Sequence, residues 1–140
     1  MPLVSAVALT SDLADLGRVY PWLEDAAAGK DLPEGLLTRM HVALEEAVAN
    51  VAMHGFDPGR TGQITLRLHE IPGALVIEID DNGVPFDPIA APKRVDADNL
   101  ADVRIGGRGL TLIRGCCEDV RYERRDAMNH LTLRFAVGAV

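Results

Sequence analysis

The sequence predicts an α+β domain, a two-layer α/β sandwich in which a mixed, mostly antiparallel sheet carries helices on one face. Three observations predict it. Two nine- and eight-residue stretches, 63–71 and 74–81, alternate apolar and polar residues and are separated only by Pro72-Gly73, as an antiparallel hairpin with one wet face requires. A second alternating pair, 119–125 and 129–137, closes the chain. Between and before these pairs lie segments with apolar residues at three-and-four spacing, the helical period.

Each element follows in order. "LVSAVAL" (3–9) is short, apolar and partly β-branched, and reads as a first strand. "TSD" offers N-cap chemistry to a helix over 12–29, whose Leu13, Leu16, Val19, Tyr20 and Leu23 share a face; Pro21 is expected to bend or split it, and Gly29 to end it. The strongest helical pattern is 32–55. Pro33 suits its first turn, an apolar stripe runs from Leu36 to Ala52, and Gly55 stands as its C-terminal stop. After the turn 56–62 comes the first hairpin, in which Ile64, Leu66 and Leu68 alternate with polar neighbours, as do Leu75, Ile77 and Ile79. Residues 82–109 hold three Pro and four Gly with little periodicity. A loop of that length is expected to be functional, a lid over about 87–108. A helix within 106–120 puts Leu110, Ile113 and Cys117 on one side, and the last hairpin turns near Asp126–Asn129.

Bulk composition bounds the function. The 140 residues suit a single domain, 48% hydrophobic and 25% charged, typical of a soluble globular chain. The net charge is −7 with only 14 Lys and Arg, so nucleic acid is not expected as a direct partner. An acidic chain still binds anionic nucleotides where backbone amides, a helix N-terminus or a metal supply local positive potential. The N-terminus lacks the pattern of a signal peptide, no apolar run reaches the roughly 18 residues of a spanning helix, and a cytoplasmic location without membrane attachment is the expectation. Cys116 and Cys117 are adjacent, imply no disulfide framework, and read as small hydrophobes. His41, His69 and His130 match no metal spacing, and Trp22 reads as packing.

Three polar clusters stand out. Glu46, Asn50 and His54 repeat at i, i+4 and i+8 along one side of the 32–55 helix, beside its apolar stripe. Alone, that is a solvated face. Asp80-Asp81-Asn82-Gly83 ends an apolar strand; alone, it is a turn signal, but Asp81 could also act as an acceptor with Gly83 admitting a planar ligand. Gly106-Gly107-Arg108-Gly109 opens a helix, where exposed amides and the positive dipole end suit phosphate. In this order, helix-borne Asn, strand-end Asp, lid and glycine-lined helix mouth compose a nucleotide site.

At these residues the sequence resembles the Bergerat-fold (GHKL) ATPases, which include gyrase subunits and histidine-kinase catalytic domains. Within them it is most similar to the small anti-sigma-factor serine kinases. "EEAVANVAMHG" resembles their N-box, "DDNGVPFDP" and "GGRGLTLIR" their two glycine boxes, and "DVRYERRDAMNHLTLRF" their closing hairpin. The resemblance covers about residues 10–137. It implies that Asn50 ligates magnesium, that Asp81 accepts from the adenine amino group with Thr132 nearby through water, and that Gly83 lets the base lie flat. It further implies that Gly107, Arg108, Gly109 and Leu110 wrap the phosphates, with His54 and Phe86 also contacting ATP, and that Glu46 is the general base. Pro85 stands where many members have a second glycine, and the serine-kinase branch often has Pro there. Ile105 and Gly106 stand where the kinases often place a basic residue, with Arg104 and Arg108 on either side.

The resemblance implies an ATP- and magnesium-dependent protein serine/threonine kinase acting as an anti-sigma factor. Its partners would be a sigma factor and a STAS-type anti-sigma-factor antagonist bearing the acceptor serine, and the kinase would be a homodimer. Two other readings stay open: a non-catalytic switch that binds ATP and changes its grip on a partner, and a trans-acting histidine-kinase catalytic domain.

Overall fold

The computed structural model describes residues 2–56, 59–86 and 108–138, the side chains of 108–111 excepted. In chain order it contains β1 (Leu3–Thr10), α1 (Leu13–Leu16), α2 (Val19–Ala27), α3 (Leu36–His54), β2 (Gln63–Ile71), β3 (Ala74–Asp81), α4 (Arg108–Cys116), β4 (Asp119–Arg125) and β5 (Met128–Ala136). The strands form one sheet in the order β1-β2-β3-β5-β4. The expected mixed, mostly antiparallel sheet is antiparallel in each of its four ladders. The expected lid lies almost wholly in 87–107, outside the described residues.

Register explains the core. Successive strand residues face opposite sides of a sheet, so paired positions form rows across it. One row runs Val7, Leu66, Ile79, Leu131, Tyr122; the next runs Ser5, Leu68, Ile77, Leu133, Val120. Both point at the helices, where Leu66, Leu68, Ile77, Ile79 and Leu133 pack with Leu23, Met40, Leu44 and Ala47 in one buried cluster. A third row, at the end of the sheet, changes character along its length. Leu9 and Ile64 are apolar, and Asp81, Asn129 and Arg124 continue the same line. The opposite face carries the polar phase instead: Arg67 and His130 both meet Asp80, and His69 lies 2.6 Å from Glu78.

The helices differ from expectation where backbone chemistry intervenes. The 12–29 pattern is two helices, broken at Gly17 and Arg18. A proline ring collides with the carbonyl four residues earlier, here that of Gly17. Pro21 therefore sits in the first turn of α2, where its missing N–H goes unneeded. The long helix starts at Leu36 rather than at Leu32. Gly35 has φ +82°, a left-handed conformation that interrupts the helix, and the Leu36 amide bonds the Pro33 carbonyl at 3.1 Å. Pro33 thus belongs to the preceding turn and not to the helix. The β2–β3 connection uses Pro72 followed by Gly73 at φ +80°, the arrangement of a type II turn. Trp22 packs against the core and donates its indole N–H to Ser5 Oγ at 3.0 Å. Cys116 and Cys117 border the same core, and burial pushes the Cys117 thiol up to about 12, which leaves it inert. Among the described residues, no helix is long and apolar enough to cross a membrane.

Candidate functional site

The polar end of the third row is the floor of a cleft. Asp81, in phase with Ile79 and Ile77, points toward the helices and is only 3% exposed. Its Oδ1 accepts from the Gly83 amide at 2.8 Å and from Asn129 Nδ2 at 2.9 Å. Burial pushes its carboxyl above the usual aspartate value; the bonds from Asn129 and Gly83 and the nearby Arg124 charge act against that rise. The carboxylate is thereby fixed at the strand end through Oδ1.

Asn129 faces Asp81 across the β3–β5 ladder and is itself buried. Besides Asp81, its Nδ2 donates to the Val84 carbonyl at 2.8 Å. Its Oδ1 accepts from the Tyr122 hydroxyl, from Arg124 Nη1 at 3.3 Å and from the Phe86 amide at 3.4 Å. Arg124 Nη1 also donates to the Gly83 carbonyl at 2.8 Å. One side-chain cluster on the last hairpin thereby holds the loop after β3. Asn82 does separate, structural work: its Oδ1 takes the Gln63 amide at 2.9 Å, capping the start of β2.

The other wall is the C-terminal half of α3. Ala47, Asn50, Val51 and Gly55 line the cleft from that side, and Asp81, Phe86, Ile113 of α4, Tyr122, Asn129 and Leu131 complete its lining. Counted out to its open mouth, the space between these residues is about 400 Å³. Gly55 ends α3 without the left-handed turn common at helix ends; its φ is −84°. Its lack of a side chain is required by proximity, since a Cβ there would lie 2.6 Å from the Val51 carbonyl oxygen. The Gly55 carbonyl in turn accepts the Val84 amide at 2.8 Å, and a Cβ on Gly83 would collide with that carbonyl. Gly83 is thus needed for backbone packing whatever a ligand requires.

The structure brings some of the sequence-derived residues together and separates others. Asn50, Asp81 and Phe86 line one cleft, with Gly83 immediately behind Asp81. His54 is exposed at the rim, its ring stacked on Phe86 with centroids 5.9 Å apart. Glu46 is half-buried one turn before Asn50 and is not part of the cleft lining. Thr132 is placed elsewhere. It pairs with Glu78 and belongs to the opposite phase of β5 from Asn129, Leu131 and Leu133, so it lies on the sheet face away from the cleft. Gly107 lies outside the described residues. Arg108, Gly109 and Leu110 form the first turn of α4, the helix that contributes Ile113 to the cleft. Asn129, Tyr122 and Arg124 were not singled out from sequence, yet a signal existed: Asn129 is the polar residue in the core-facing phase of a strand that is otherwise Leu131, Leu133 and Phe135.

A metal would have to be held sparsely. Among the described residues there is no group of three or more His, Cys, Asp or Glu side chains able to hold one. A single Asn50 oxygen suits magnesium, which commonly takes one or two protein oxygens and completes its shell with phosphates and water.

Comparison with known proteins identifies the family and the fold. Residues 9–135 match the family model described as the histidine kinase-like ATPase domain. The chain is 36% identical over 112 residues to the serine/threonine-protein kinase BtrW of Bordetella bronchiseptica, covering 80% of this chain and 79% of that protein. It is 28% identical over 89 residues to the anti-sigma F factor of Priestia megaterium, covering 62% of this chain and 60% of that one. In fold it is similar to a structure of the RsbU and RsbW domains of Rv1364c from Mycobacterium tuberculosis, with TM-score 0.67 and 14% identity, over 97% of this chain and 33% of that one. It is also similar to the histidine kinase domain of a blue-light activated kinase from Erythrobacter litoralis, with TM-score 0.57 and 17% identity, over 89% of this chain and 60% of that one.

Proposed function

The chain belongs to the histidine kinase-like ATPase domain family, and from that premise we propose that it binds ATP in the cleft between α3 and the β3–β5 ladder and transfers the terminal phosphate to a serine or threonine of a partner protein. The observation that carries this reading is the pairing of a buried strand-end carboxylate, Asp81, with a helix-borne amide, Asn50, on one cleft. Adenine presents an amino donor to the carboxylate. Val51, Ile113 and Leu131 supply apolar contact for the rings. The phosphates extend toward the glycine-lined start of α4, where backbone amides and the positive helix end favour anions.

Asn50 would hold the magnesium ion, whose charge neutralises the phosphate oxygens. Glu46, one turn before Asn50 on α3, takes the proton of the attacking hydroxyl as its oxygen bonds to the terminal phosphorus, and the bond to the bridging oxygen breaks to release ADP. The kinase BtrW supports protein-serine transfer, and the anti-sigma F factor supports an anti-sigma role. In this reading the partners are a sigma factor and a STAS-type antagonist that carries the acceptor serine. The chain works as a homodimer in the cytoplasm.

One observation favours a second reading, an ATP-gated switch without transfer: Glu46 stands outside the cleft lining. Magnesium-dependent ATP titration and phosphate transfer to the antagonist, measured on the same variants, separate the two. Asn50→Ala is expected to lose magnesium-dependent binding and transfer together. Glu46→Ala is expected to bind ATP within about twofold of the unmodified chain and to lose transfer by about 100-fold or more. Equal loss of binding and transfer in Glu46→Ala removes its role as base, and binding without transfer in the unmodified chain selects the switch.

A further inference from the structure

We propose that Asn129 is a positioning residue that makes the cleft selective for a base bearing an amino group, by holding Oδ1 of Asp81 so that Oδ2 of the ionised carboxylate is the acceptor offered to the ligand. The inference rests on the ATP reading and deepens it.

Asn129 cannot read the ligand directly as a donor. Its Nδ2 has two hydrogens, and both are used, one on Asp81 Oδ1 at 2.9 Å and one on the Val84 carbonyl at 2.8 Å. The orientation of the amide is dictated by its partners. Asp81 and Val84 offer only oxygens on one side, and Tyr122, Arg124 and the Phe86 amide offer N–H or O–H on the other. A flipped amide would face donor with donor at Arg124 and the Phe86 amide and oxygen with oxygen at Asp81 and Val84. The carboxylate is oriented by the same logic. Asp81 Oδ1 receives two hydrogens, from Asn129 and from the Gly83 amide, so it carries no proton of its own. Oδ2 receives neither bond, and Asp81 lines the cleft, so in the ionised carboxylate Oδ2 is the acceptor left for a ligand.

Such an acceptor rewards an exocyclic amine and repels a carbonyl oxygen at the same place. A buried site built to accept a hydrogen discriminates strongly against a ligand that lacks it, because its own polar group is then left unpaired. Asn129 also fixes the loop beside the base. Together with Arg124 it holds the backbone of Gly83, Val84 and Phe86. The acceptor and the adjoining loop are therefore aligned by one residue that keeps no donor for the ligand.

The test is titration with magnesium complexes of ATP, of purine riboside triphosphate, which lacks the amine, and of GTP. The unmodified chain is expected to prefer ATP over the amine-free analogue by about tenfold or more. Asn129→Asp keeps the acceptor half of the network but sets a carboxylate against Asp81. It is expected to bring that ratio toward one, because ATP affinity falls further than that of the amine-free analogue, and to narrow the gap to GTP. Tyr122→Phe, which removes one donor to Asn129 Oδ1, is expected to shift the ratio in the same direction by a smaller factor. A ratio unchanged while all three nucleotides weaken together assigns Asn129 a merely structural role and overturns the proposal. Tyr122→Phe decides the matter in the same way if Asn129→Asp does not fold. Absence of any magnesium-ATP binding by the unmodified chain is a distinct result, and it overturns the nucleotide reading along with this one.

Discussion

Asp81 sets its function against its stability. Its burial raises the folded-state carboxyl above the ordinary 3.8, so in the folded chain the proton is held to higher pH than in the unfolded chain. Between those two values the unfolded state is the more ionised, and stability falls as pH rises through the window. Above it, the ligand-free protein carries a buried charge. Asp81→Asn keeps an Oδ1 to accept from Gly83 and Asn129 and removes that charge. The substitution is expected to raise the Tm of the ligand-free protein at neutral pH, with the gain shrinking to nothing below the unfolded carboxyl value. It is also expected to weaken ATP by about 10- to 100-fold, the worth of a hydrogen bond to a charged group. Calorimetry across pH together with nucleotide titration checks both; a Tm that does not rise at neutral pH contradicts the buried-charge account. Much of this residue's role was legible in "IEIDDNG": the alternation that buries Ile77 and Ile79 puts Asp81, not Asp80, in the core phase. The same parity puts Thr132 on the sheet face away from the cleft and Asn129 on the face toward it. That hub went unread because its meaning depends on which residue faces it across β3, and pairing is a tertiary fact.

At the scale of elements, the strands were legible almost to the residue and the helix starts were not. Residues 63–71 and 74–81 have a sharp period of two and a turn whose residues demand their own conformation, so pattern and backbone agree. The start of α3 was missed because Pro33 and Gly35 compete for it. Proline tolerates the first helical turn, but glycine at φ +82° interrupts it nearer the apolar stripe. The final hairpin carries a testable strain. Asp126 and Ala127 both take positive φ, 55° and 62°, as the two-residue turn matching strand twist requires. Asp tolerates that conformation; alanine does so at a cost. Ala127→Gly is expected to stabilise the protein by about 0.5 kcal/mol, since relief of the strain exceeds the added freedom of the unfolded chain. Ala127→Val is expected to destabilise it by about 1 kcal/mol or more. Urea midpoints of the two variants give the answer, and the opposite ordering contradicts the turn geometry.

For the whole molecule, the cleft joins parts far apart in sequence: Asn50 on α3, Asp81 on β3, Ile113 on α4 and Asn129 on β5. A ligand that bridges them binds only the folded chain. Magnesium-ATP at a hundred times its Kd is therefore expected to add about 2.7 kcal/mol to unfolding, several degrees in Tm. Most of that gain should disappear in Asn50→Ala, as differential scanning fluorimetry would register. A ligand-independent Tm in the unmodified chain would leave the cleft without a nucleotide. Two facing glycines add a constraint of another kind. Where the Gly55 carbonyl takes the Val84 amide, the loop after β3 and the C-terminal end of α3 form a single seam with no room for even one methyl group. In the ATP reading, the purine side and the triphosphate side of the cleft are then not separately adjustable, because a change on either side of the seam displaces the other.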